Sequence, residues 1–283
     1  MKYTTVFIFL FTLVVLGLLI YIVLRPAPLK PLIRLALASP TYELNRTHVI
    51  SSDNTHILYG SSQTERLAIL LIGGAFLFND FTSHFGMSNT LADLLIGQKI
   101  NLLMLRYPVR FTNTVYDAMI SINNSLRVHA TRYKQCYMIG FSAGALLAGV
   151  FIRKEQSRAL ANLIKVPQIG ISARAFVGIC GLYDVNFDND IISKLFGFYI
   201  MKNTPEYKRY HCRDLTIPTF LISSTNDILI GQTRQFVETQ QCTYKLFNEK
   251  LPHAFIQYIN LPQSQEALKL ISEFVIAVVV VVG

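Results

Sequence analysis

A chain of 283 residues holds one domain of about 250 residues plus an appendage, and it can bury a full core. Hydrophobic residues make up 52% and charged residues only 15%, an apolar excess gathered in the first stretch of the chain and, to a lesser extent, in its tail. The net charge of +9 is spread along the sequence and not interleaved with aromatics, which leaves no footprint for a nucleic-acid partner; solvated surface accounts for it.

From Thr4 to Leu24 no charged residue occurs, and Lys2 and Arg25 bracket the run. As a helix this stretch would be about 31 Å long, enough to cross a bilayer core of ~30 Å. The competing reading, a cleaved signal peptide, calls for a shorter apolar core and a small-x-small cleavage site, which Arg25-Pro26-Ala27-Pro28 does not supply. The sequence therefore predicts an uncleaved N-terminal transmembrane helix over residues 1–25, touching membrane lipid through residues 4–24. A Pro-rich linker over 26–39 follows, with Arg25, Lys30 and Arg34 placed to meet anionic head groups, and then one domain over 40–283. The count of basic residues on the two sides leans towards a cytosolic domain. The glycosylation sequons Asn45-Arg46-Thr47 and Asn123-Asn124-Ser125 lean towards a lumenal one. Four cysteines, Cys136, Cys180, Cys212 and Cys242, show no metal-ligand spacing. Cys212 and Cys242 each precede a predicted strand, and pairing between neighbouring strands is one reading; buried free thiols are the other.

Strand and helix patterns alternate through the body. His48–Ser51 and His56–Tyr59 read as a short hairpin, and Leu67–Ile72 as a buried strand. Phe85–Ile96 reads as a helix, Ile100–Tyr107 as a strand, Asp117–His129 as a helix and Cys136–Ile139 as a strand. Further strands fall at Ala175–Cys180, Thr219–Ser224 and Tyr244–Phe247, with helices near Thr233–Gln240 and Gln265–Val275. Strands separated by helix-length segments imply right-handed crossovers and a mostly parallel sheet, an α/β fold.

Within this pattern Tyr137-Met138-Ile139-Gly140-Phe141-Ser142-Ala143-Gly144 is an apolar strand running into Gly-x-Ser-x-Gly and then into small helix formers. That is the strand, sharp turn and helix of a nucleophile elbow, with Ser142 as candidate nucleophile. The helix points its positive end at the place where an oxyanion would form. About seventy residues earlier, Gly73 and Gly74 end a strand, where backbone amides can approach a ligand closely; with the amide of Ala143 they would complete an oxyanion hole. A serine needs a base and the base an orienter. Of six histidines, His253 alone lies in a loop downstream of the last strand. Asp227 follows the Thr219–Ser224 strand and gives the order Ser, Asp, His; Asp184, Asp188 and Asp214 are the alternatives, with turn or cap chemistry as their plain reading.

Ile72-Gly73-Gly74-Ala75-Phe76, Arg106-Tyr107-Pro108, Gly140-Phe141-Ser142-Ala143-Gly144, Gly178-Ile179-Cys180-Gly181-Leu182-Tyr183-Asp184, Asn226-Asp227 and Pro252-His253-Ala254-Phe255 occur in the order seen in α/β-hydrolases. Over about Arg66–Phe274 the chain resembles hormone-sensitive-lipase-like esterases and arylacetamide or steryl-acetate deacetylases. The resemblance implies an α/β-hydrolase fold and carboxylic-ester hydrolysis through an acyl-enzyme, with no metal or organic cofactor. It also implies an amino-terminal anchor with a lumenal catalytic domain, as in the endoplasmic reticulum. Three positions depart from the family pattern: Ile72 stands where a histidine is usual, Ala75 where many members have a third glycine, and Phe141 where an acidic residue is common.

The segment 184–213, with the apolar run Ile191–Met201, reads as a helical lid that would bind the hydrophobic part of a lipophilic ester, or as a helix that packs on the sheet. The nine-residue apolar tail from Val275 is too short to span a bilayer, and packing on the domain is expected. Two other functions fit the same residues: a catalytically silent, membrane-tethered binding module of this fold, and an amidase.

Overall fold

A short hairpin, β1 and β2, and six further strands, the central ones apolar runs rich in Leu, Ile and Val, form an eight-stranded sheet. In the computed structural model residues 40–282 are described, apart from 62, 78–79, 109–112, 186–196 and 198–199. The expected anchor and linker, and most of the expected lid, lie outside the described residues; of the lid helix, Gly197, Ile200 and Met201 are described, all buried and helical.

The strands are β1 (Val49–Ser52), β2 (His56–Tyr59), β3 (Arg66–Leu71), β4 (Asn101–Leu105), β5 (Gln135–Phe141), β6 (Ala173–Ile179), β7 (Thr219–Ser224) and β8 (Thr243–Phe247). The order across the sheet is β1-β2-β4-β3-β5-β6-β7-β8. The β1–β2 and β2–β4 pairs are antiparallel, and every other pair is parallel. Strands β3 to β7 are buried almost throughout, as continuous apolar runs covered on both faces must be. The helices are α1 (Phe85–Ile96), α2 (Val115–His129), α3 (Ala143–Gln156), α4 (Arg158–Leu163), α5 (Ile230–Thr239) and α6 (Pro262–Val282).

Topology fixes where a site can form. From β3 the chain crosses to β4 on one side, then returns to β5 on the other and continues outward through β8. The sheet reverses its winding between β3 and β5, and the crevice beyond the carboxyl ends of those two strands is the usual ligand position in such sheets. Register keeps those ends level: Leu71 pairs with Gly140, Phe141 with Ile179 and Ile179 with Ile222.

Several expectations are corrected. Helix α2 starts two residues before Asp117, because Thr114 caps it and Asp117 reciprocates in a capping box. Helix α6 continues to Val282, past its expected end at Val275. Ile271, Val275, Val278 and Val279 are buried at helical spacing, and this packing outweighs the modest helix penalty of valine. Among the described residues no helix is long and apolar enough to cross a membrane, and the expected anchor lies outside them. The four cysteines are free, so Cys212 and Cys242 are not paired. The Cys212 thiol is packed into α3 instead, 3.6 Å from the Ala145 carbonyl.

Asn123 is likewise unavailable to carry a glycan: it is 1% exposed on the inner face of α2. Its Oδ1 accepts a hydrogen bond from Lys154 Nζ at 2.6 Å. Lys154, itself fully buried near the end of α3, also donates to the Pro167 carbonyl at 2.9 Å and pairs with Glu155. The Glu155 carboxylate in turn accepts the amides of Ile169, Gly170 and Ile171 at 2.9–3.2 Å. This network ties the far end of α3 to the loop before β6, so it holds the helix whose near end carries Ser142. Removing one member strands a buried charge. Glu155→Gln is expected to lower unfolding free energy by about 3 kcal/mol in urea denaturation; an unchanged midpoint would mean the pair contributes nothing.

Candidate active site

Ser142 sits between β5 and α3 with φ 52° and ψ −120°, a backbone conformation that costs a non-glycine residue about 1–3 kcal/mol. Its amide donates to the Ile179 carbonyl at 2.9 Å, and its carbonyl accepts the Leu182 amide at 3.1 Å and the Ala145 amide at 3.0 Å. The flanking glycines are sterically required. A Cβ on Gly140 would lie 2.3 Å from Ala145 Cα, and one on Gly144 would lie 2.2 Å from the Leu71 carbonyl oxygen. The amino end of α3 can therefore press against the end of β3.

The loop after β3 lies against this turn. A Cβ on Gly73 would stand 3.0 Å from Ser142 Cβ and 2.8 Å from the Phe141 ring. Gly74, Ala75 and Phe76 all have positive φ, at 131°, 53° and 59°. Ala75 thus occupies a left-handed position where its Cβ is a strain. Tyr107 donates to the Ile72 carbonyl at 2.8 Å and holds the loop's start, while Ile72 itself is buried in the core. These contacts put the backbone of Gly73 beside Ser142, where the first turn of α3 begins at Ala143.

His253 reaches Ser142 from the loop after β8. Its Nε2 is 2.9 Å from Ser142 Oγ, and its Nδ1 is 2.9 and 3.1 Å from the two carboxylate oxygens of Asp227. Asp227 stands in the turn closing β7, where its amide bonds the Ser224 carbonyl and its Oδ1 accepts the Leu229 amide at 2.6 Å. The three residues named from sequence are brought into one hydrogen-bonded chain. The Asp227 side chain is wholly buried and that of His253 is 17% exposed. Burial alone would raise the Asp227 carboxyl, but the hydrogen bond and charge of His253, with Cys180 and the Leu229 amide, hold it below the ordinary carboxylate value.

The alternatives are engaged elsewhere. Asp184 pairs with Arg213 and bridges to His211; Asp214 is exposed, and Asp188 is outside the described residues. His48 is 3.8 Å from Asp93, His56 is held by Asp53 and Ser51, and His129 packs its ring against His56 at a tilt. His211 accepts the Arg213 amide.

Three neighbours were given no part in the site from sequence. Phe141 stacks on His253 with ring centres 6.1 Å apart, and His84 meets Phe141 edge-on at 5.7 Å. Burial depresses His84 to about 4, so its ring is neutral; Nδ1 bonds the Asp80 carbonyl at 2.9 Å. Cys180, directly after β6, points its thiol at Asp227 and has φ 44°. Its position at the carboxyl edge of the strand next to β5 was the signal available. Burial, then the nearby Asp227 charge, push this thiol well above its usual range. Among the described residues the grouping of side chains able to ligate a metal is Cys180, Asp227 and His253, whose donor atoms lie within 4.8 Å of one another.

No protein-family model matches the chain, and no curated protein matches it by sequence. Solved structures do match. Esterase B from Lactobacillus rhamnosis, in a structure with a tributyrin phosphonate inhibitor, gives a TM-score of 0.68 at 18% identity, covering 91% of this chain and 94% of its own. EstE5 soaked with p-nitrophenyl butyrate gives 0.67 at 13%, covering 88% and 90%. A hormone-sensitive lipase from a metagenome library gives 0.62 at 15%, covering 86% and 88%. The chain has the α/β-hydrolase fold of these esterases and lipases.

Because the folded-state Asp227 carboxyl lies below its ordinary 3.8, its ionised form stabilises the fold above that pH, and the contribution is lost as pH falls through the folded value. The unfolding free energies of wild type and Asp227→Asn, compared by urea titration, should differ most near neutrality and converge below pH about 4. A gap independent of pH would contradict this.

Proposed function

We propose that this protein is a serine hydrolase of carboxylic esters, with Ser142 as nucleophile, His253 as base and Asp227 as orienter. The observation that carries this reading is the unbroken chain from Ser142 Oγ through the His253 ring to the buried Asp227 carboxylate. On attack at an ester carbonyl, the Ser142 proton passes to His253 Nε2, and Asp227 at Nδ1 stabilises the imidazolium. The amides of Gly73, Gly74 and Ala143 receive the oxyanion at the amino end of α3. His253 then gives its proton to the departing alcohol, leaving an acyl-enzyme that water clears by the reverse sequence. No cofactor enters these steps.

The substrate we propose is a lipophilic ester with a short acyl chain. The tributyrin phosphonate on esterase B and the butyrate ester soaked into EstE5 support it by analogy of fold. Ile228, one residue after Asp227, is an apolar side chain left 76% exposed. We further propose that residues 4–24 anchor the protein as a single-pass membrane protein of the endoplasmic reticulum, with the catalytic domain in the lumen. Asn45, exposed beside its own short helical turn, supports that side of the membrane as a glycan acceptor.

Hydrolysis of p-nitrophenyl esters from acetate to laurate, beside matched anilides, tests the activity. Wild type should favour the short esters over the anilides, and Ser142→Ala or His253→Ala should each lower kcat/KM by at least about 10³-fold. Folded wild type that turns over none of the esters would favour the silent binding module. The topology makes a separate prediction: in microsomes, one glycan is added, it is removed by Thr47→Ala, and it is unaffected by Ser125→Ala. An unglycosylated wild type would contradict the lumenal placement.

A further inference from the structure

We propose that Cys180, Asp227 and His253 form an inhibitory binding site for zinc(II), in which the cation takes the place of the proton that links His253 to Asp227. The site combines a thiol sulfur, an imidazole nitrogen and a carboxylate oxygen, the three donor types that zinc takes from proteins. Their donor atoms lie within 4.8 Å of one another. Donors around a tetrahedral zinc stand roughly 3.3–3.8 Å apart, so closing the site needs movements of about 1 Å. Two donors are fixed. Cys180 is fully buried, with its amide bonded to the Ile222 carbonyl at 2.7 Å, and the Asp227 carboxylate is anchored by the Leu229 amide at 2.6 Å. His253 is the partly exposed member, on a loop, and supplies both the adjustment and the way in.

The proton balance explains why binding inhibits. The free site holds a Cys180 thiol, a neutral His253 with its hydrogen on Nδ1, and an ionised Asp227. Zinc displaces the thiol proton to solvent and takes Nδ1, and the Nδ1 hydrogen reappears on Nε2. The cation's two charges are then matched by one thiolate and one carboxylate, so the buried site is neutral overall. With Nε2 protonated, His253 can no longer accept the proton of Ser142, and the nucleophile stays a hydroxyl. An oxygen at position 180 would leave only histidine and carboxylate, a weaker pair for zinc; the thiol is what makes the site. Metal binding itself does not depend on the proposed hydrolase activity, whereas the inhibition rests on it.

The experiment uses the full-length protein in detergent with cobalt(II) as a spectroscopic stand-in and zinc(II) as inhibitor. Wild type should show a thiolate-to-cobalt charge-transfer band, retained in Cys242→Ser and lost in both Cys180→Ser and Cys180→Ala. Zinc should inhibit ester hydrolysis reversibly with chelator, and in each folded Cys180 variant, referred to its own zinc-free rate, the inhibiting concentration should rise at least tenfold. A band absent from wild type, or one that survives loss of Cys180, overturns the site even where hydrolysis is normal. Equal zinc sensitivity in wild type and variants overturns it too. A wild type that binds cobalt through Cys180 but hydrolyses no ester supports the site while refuting the hydrolase reading.

Discussion

The structure depends on the backbone of Ser142 being held in a conformation that an L-residue avoids. A serine at φ 52° relaxes unless its surroundings forbid it. Here the amide is taken by Ile179 and the carbonyl is shared by Leu182 and Ala145, so relaxation would leave buried polar groups unpaired. The glycines at 140 and 144 let the start of α3 meet the end of β3, and the Lys154–Glu155 network anchors the other end of the same helix. The result is a hydroxyl at the head of a helix, in the crevice where the sheet reverses its winding.

Around that hydroxyl the electrostatics are arranged by burial. Asp227 is removed from water, which by itself penalises its charge, and its oxygens are met by His253, Cys180 and the Leu229 amide. A buried carboxylate so surrounded acts strongly on the imidazole beside it, because little water screens the pair. Phe141, in ring contact with both His84 and His253, adds an apolar wall to the histidine. The same compactness gathers the three donor atoms of the proposed zinc site where one proton links His253 to Asp227.

Much of this was legible in the sequence because strand ends set it. Apolar runs followed by Gly-Gly, by Gly-x-Ser-x-Gly and by Asn-Asp announced loops at the carboxyl edge of a parallel sheet, and parallel register brings such loops together whatever their spacing along the chain. What could not be read depended on which way a side chain faces. Cys212 and Cys242 precede neighbouring strands, yet Cys212 turns into α3. Asn123 satisfies a sequon, yet the apolar stripe of α2 carries it inward onto Lys154. The valine tail has strand-like composition, but its burial at helical spacing emerges only once α6 is laid on the core. Cys180 was visible as a residue after a strand, and only the register of β6 against β7 set it beside Asp227.

The most direct measurement is peptide mass mapping of the full-length protein after reaction with a fluorophosphonate, with a heat-denatured sample alongside. An activated serine predicts one phosphonyl group per chain, on the peptide containing Ser142, in the folded protein and none after denaturation. An adduct on another serine, such as Ser223 or Ser224, or no adduct on the folded chain, would contradict the assignment of Ser142 as the nucleophile.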